Sequence, residues 1–134
     1  MDDDALVARL REVDSKHAGD GEAPSAESCR ARLARWRQSE ADIEYRCSIP
    51  GGSPQVVFAG LCLRFGIEPY RRSARSTSTV CIRAPKGFVV EVLWPLFLAT
   101  SSVVEDAQRR AAIDVVQRWT GVSLAALDGS ARPE

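Results

Sequence analysis

The chain has one histidine, one methionine and four cysteines in 134 residues. Cys29, Cys47, Cys62 and Cys81 form no Cys-x-x-Cys pair, and His17 stands in a polar stretch. The ligand spacing of a zinc site is therefore missing, and no metal or other cofactor is expected. Phosphate-loop and hydrolase-elbow patterns are also absent. The Pro50-Gly51-Gly52-Ser53 turn lacks both the Gly-x4-Gly-Lys-Ser/Thr run and the Gly-x-Ser-x-Gly arrangement. The most apolar stretch, Phe88 to Ala99, contains Glu91 and Pro95 and falls short of the ~20 residues a spanning helix needs. A core helix and no membrane partner are expected from it. Met1 is followed by Asp2, Asp3 and Asp4 where a signal peptide would be basic, so a cytoplasmic protein is expected. In that reducing setting the four cysteines read as small buried hydrophobes.

What the chain has is arginine, unevenly placed. The formal charge is zero. Yet residues 1–28 carry three basic and eight acidic side chains, and residues 29–90 carry eleven and four. The middle segment is therefore suited to an anionic partner although the whole is neutral. The plainer account is a composition bias toward Arg in an Ala-rich chain.

The length fits a single domain, 1–134, with a helical part over 1–41, a core over 42–99, a helix over 102–120 and a tail over 128–134. The spacing of Leu6, Val7, Leu10 and Val13 predicts a first helix over about 4–14. A linker over 18–24 follows. Ser25 is placed to cap a second helix whose stripe is Cys29, Leu33 and Trp36. Residues 42–49 alternate as a strand, with Ile43, Tyr45 and Cys47 on one face and Glu44, Arg46 and Ser48 on the other. Ser53-Pro54 starts a strongly apolar helix, with Ser53 as its cap, and Gly66 ends it. Residues 67–73 are expected as an edge strand because of Pro69, and residues 77–84 as a third strand stopped by Pro85. A break near Pro95 is expected in the next helix. Ser102 and Glu105 have capping-box spacing for a last one, striped by Val104, Ala107, Ala111, Val115 and Trp119.

The expected fold is α+β, with a three-stranded, mainly antiparallel sheet in the order 1-3-2. This β-α-β-β-α order resembles a truncated ferredoxin-like unit with extra terminal helices, a resemblance that carries no function. The missing fourth strand would leave strand one as an open edge, so a homodimer by edge pairing or helix packing is expected.

Three function classes follow. The first is a non-enzymatic binding or assembly module taking a protein or small-molecule ligand. Trp36, Trp94 and Trp119 would be its anchors, although each also fits a core stripe. The alternative is a nucleic-acid-binding protein using Arg46, Arg71, Arg72, Arg75 and Arg83 with the hairpin hydroxyls, on a face that lacks stacking aromatics. The second alternative is a small enzyme built around Glu91, which a desolvating position would shift toward general acid–base work.

Overall fold

The computed structural model describes residues 3–18, 26–73 and 75–124. Positions 19–24 of the linker, Ser25 and the tail from Asp128 lie outside the described residues. Among the described residues, four helices and a two-stranded antiparallel sheet make the fold α+β. In chain order they are α1 (Asp3–Ala18), α2 (Ala26–Ser39), β1 (Asp42–Ser48), α3 (Ser53–Phe65), β2 (Thr79–Pro85) and α4 (Lys86–Thr120).

The expected three-stranded sheet is corrected. Strands β1 and β2 pair in register from Asp42 opposite Pro85 to Ser48 opposite Thr79. The segment expected between them in sequence, 67–73, reduces to one bridge, Tyr70 to Cys81, with backbone bonds of 2.9 and 2.7 Å. Pro69 has no N–H to extend that bridge on one side. On the other side the chain leaves the ladder for a loop over 71–78 that Arg71 holds from within. The truncated ferredoxin-like unit is therefore short of a further strand.

The period of two along β1 does place the side chains. Tyr45, Cys47, Val80, Ile82 and Ala84 face the helices. Glu44, Arg46, Ser48, Thr79, Cys81 and Arg83 share the outer face, because directly opposed residues of an antiparallel pair project to the same side. On the inner side Phe58 of α3 meets the rings of Phe97 and Trp94 edge-on at 5.3 and 6.3 Å, and Phe65 meets Phe88 at 5.0 Å. The α2 stripe closes the same core, with Cys29 and Leu33 buried and Trp36 packed against it.

The start of α3 differs from expectation and its end agrees with it. Gly52, at φ 91°, occupies the cap of α3 with no side-chain bond, and Ser53 lies inside the helix with its Oγ bonded to Gln108 Oε1 at 3.0 Å. A positive φ is open to glycine at no steric penalty, so the backbone enters the helix there without a hydroxyl cap. At the other end Gly66 is left-handed, and the Gly66 and Ile67 N–H groups bond Leu63 and Cys62 carbonyls, a Schellman closure.

No break occurs at Pro95. α4 continues for 35 residues with a π-helical turn over Val89–Leu93, in which the Trp94 N–H reaches back five residues to the Val89 carbonyl. Pro95 thus falls in the first turn after the π segment. Ser102 and Glu105 are exposed mid-helix positions, not a capping box. α4 contains an 18-residue window of mean hydropathy 1.7, long and apolar enough by length and composition to cross a membrane. A core helix meets the same criterion, and Phe88, Val89, Val92, Leu93, Leu96 and Phe97 of this one are buried in the protein core.

The junction of α2 and α4 is the tightest approach. The Gly87 N–H donates to Glu40 Oε1 at 2.8 Å, placing a carboxylate at the positive end of α4. A Cβ on Gly87 would strike the Trp36 ring and stand 2.7 Å from Glu40 Oε2. Gly87→Ala should gain ~1 kcal/mol in helix propensity yet lose about 1–3 kcal/mol to overpacking. A net fall in unfolding free energy, read by urea titration, is the expected outcome.

Candidate functional site

Arg46, Arg71, Arg72, Arg75 and Arg83 do not form one uniform basic face. Arg71 turns inward on its own loop. Its Nη1 donates to the carbonyls of Ser76, Thr77 and Thr79 at 3.0–3.4 Å, and its Nη2 to Gln55 Oε1 at 2.6 Å. It is a staple for the loop over 71–78. Arg75 is exposed near the loop tip, its backbone N–H bonded to Ser73 Oγ at 3.2 Å. Arg83 is exposed on the outer sheet face, opposite Glu44 in the strand pair.

Arg46 and Arg72 meet around one carboxylate. Arg72 Nη1 donates to Glu44 Oε1 at 2.9 Å, and Arg46 Nε lies 3.7 Å from the same oxygen. The Tyr70 hydroxyl donates to Glu44 Oε2. The Tyr70 hydrogen bond, then the two guanidiniums, hold the Glu44 carboxyl below its ordinary range, while partial desolvation opposes them. The same bond raises the Tyr70 phenol, because losing its proton would break it. Glu44 and Tyr70 were not singled out from sequence as site residues. The available signal was a carboxylate two positions from Arg46 on the same strand face.

Between this cluster and the loop over 71–78 lies a cleft of ≈ 390 Å³. Arg46 and Ser48 line it from β1, Thr79 and Cys81 from β2, and Arg72, Ser73 and Ser76 from the loop. Ser76 Oγ donates to Thr79 Oγ1 at 2.9 Å. Cys81, 1 % exposed, forms part of the floor.

Glu91 lies exposed on the π-helical turn, so the desolvation that an acid–base role requires is absent there. All four cysteines are free thiols. Burial raises Cys29 and Cys47 and pushes Cys62 up to about 12, away from the thiolate that a nucleophile needs. Among the described residues no three His, Cys, Asp or Glu side chains are grouped to hold a metal ion.

The tryptophans divide. Trp36 and Trp94 pack against the core, whereas Trp119 is 84 % exposed. Only Val103 and Ala107 are buried in the second half of α4, and Ala111, Ala112, Val115 and Val116 are exposed with Trp119. The expected core stripe of a last helix therefore continues past the body it would pack on. The chain matches no protein-family model, and neither curated proteins nor solved structures give a significant match.

The Glu44 cluster makes a sign-definite prediction. Its folded pKa is lowered from 4.5, so its contribution to stability is full above that value and is lost as pH falls through the lower folded value. Unfolding free energies of the wild type and Glu44→Gln, followed downward from neutral pH, should differ most above pH 4.5 and converge below it. A constant offset through the acid range would show that the carboxylate's charge is not what holds the cluster.

Proposed function

We propose that the protein is a non-enzymatic assembly module that self-associates through the projecting end of α4. One observation carries this reading: the exposed stripe of Ala112, Val115, Val116 and Trp119 on a helix that extends beyond its own core. A twofold interface must be self-complementary. In an antiparallel pairing centred between positions 115 and 116, the stripe maps onto itself. Trp119 lies over the partner's Ala112, and Val115 over the partner's Val116. Each large ring thus meets a small side chain two turns away, which lets the two helices approach without a clash.

Four side chains per protomer fall well short of the ~800 Å² per partner of a standard stable interface. The association is therefore weak and concentration-dependent. An exposed, unpartnered Trp is the one residue whose removal should dominate it. In sedimentation equilibrium across a wide concentration range the wild type should populate a dimer, and Trp119→Ala should weaken association by about tenfold or more. Because Trp119 is 84 % exposed, the variant should keep the wild-type unfolding midpoint. A monomer at every concentration overturns the proposal. So does a dimer indifferent to Trp119→Ala, which would point to the outer edge of β1.

A further inference from the structure

We propose that the cleft on the outer face of β1 and β2 binds the phosphate group of a small phosphomonoester. This site rests on different residues from the α4 stripe and is independent of self-association.

The chemistry of the lining selects the ligand. Arg46 and Arg72 retain side chains that are 64 % and 53 % exposed. A guanidinium has five N–H donors. Arg72 gives Glu44 one short bond through Nη1, and the Arg46 contact to Glu44, at 3.7 Å, is longer than a hydrogen bond. Arg72 is therefore anchored by Glu44 and Arg46 is drawn toward the same carboxylate, while most of their donors remain available to a ligand. That is the arrangement of a pre-positioned oxyanion site.

The hydroxyls supply the second set of donors. Thr79 Oγ1 accepts from Ser76, and Ser73 Oγ accepts from the Arg75 N–H. A hydroxyl whose oxygen is already accepting keeps its own proton to donate. Ser48 stands directly opposite Thr79 across the strand pair. Donors thus come from the strands on one side of the cleft and from the overhanging loop on the other, a non-planar set that suits a tetrahedral group better than a flat carboxylate. The Arg71 staple fixes the overhang.

Size separates a small ligand from a polymer. A cleft of ≈ 390 Å³ is at the lower end of small-molecule sites, roughly 300–1,000 Å³. It has room for a phosphate and a short ester group. It offers no stacking aromatic for a nucleic-acid base, because none of its lining residues is aromatic.

The test is titration of the full chain with inorganic phosphate and with glycerol 2-phosphate at constant ionic strength, followed by backbone amide shifts. Sodium chloride serves as the non-specific control and a single-stranded oligonucleotide as a third arm. Saturable one-to-one binding of both phosphates is expected, centred on residues 46–48, 72–73 and 76–81. Arg72→Ala should weaken it about tenfold or more. Thr79→Val, which keeps the branched strand side chain but not the hydroxyl, should weaken it about threefold to tenfold. Arg75→Ala at the rim should change it less than about twofold. Shifts no larger than those with chloride, or binding unaffected by Arg72→Ala and Thr79→Val, overturn the site. Oligonucleotide binding that strengthens with length and is lost in the same variants overturns the assignment to a small monoester.

Discussion

The structure depends on α4 running unbroken through Pro95. A proline inside an α-helix removes a hydrogen bond and sets its ring against the carbonyl four residues back. The π-helical turn over Val89–Leu93 admits one extra residue just before that point, and Trp94 bonds across five positions. The ladder is thereby displaced just ahead of Pro95, and the helix continues past it. Everything on either side follows from this adjustment. Upstream, Phe88, Val89, Val92 and Leu93 stay against α3 and the sheet. Downstream, Val103 and Ala107 remain buried, and Asp106 is held to Arg9 of α1 at 3.2 Å. A kink at Pro95 would have aimed the second half of the helix away from α1.

The same economy governs the arginines. A basic segment on a small sheet reads as an anion-binding face only if its cations are unengaged. Here the sheet's outer face includes Glu44, which gathers Tyr70, Arg72 and Arg46, and Arg71 is engaged by the loop carbonyls and Gln55. The net result is a local site between two guanidiniums instead of a broad positive surface. Net charge by segment measures attraction at a distance, but which donors remain free is decided by hydrogen bonds a few ångströms long.

Much of the inner architecture is legible in the residues themselves. The alternation at Ile43 to Ser48 assigns both sheet faces, the Cys29-Leu33-Trp36 stripe finds the core, and Gly66 closes α3 in the left-handed conformation its position demands. These features succeed because local pattern and burial agree. The edge strand expected over 67–73 fails because β-propensity is a statement about packing on a formed sheet. Past Tyr70 the Arg71 side chain competes for the Ser76, Thr77 and Thr79 carbonyls. The continuity of α4 was hidden because proline's penalty is counted for an α-ladder, and a π turn changes the ladder. Trp119 was misplaced for a different reason. Helical spacing says which residues share a face, but not whether anything lies opposite that face.

The two candidate surfaces are mechanically separate, and that separation follows from the layers. The cleft is built on the side of the sheet that the helices do not cover, and its parts are Glu44, the Arg71 staple and the strand register. The α4 stripe begins beyond Asp106 and Gln108, at which α4 is tied to α1 and α3 by side-chain bonds. The residues between them are a close-packed core of Phe58, Phe88, Ile82 and Leu93, each fully buried. Such a core transmits rigid placement more readily than a graded displacement. The proposed anion in the cleft and the proposed second copy on α4 would therefore engage the molecule without sharing a residue.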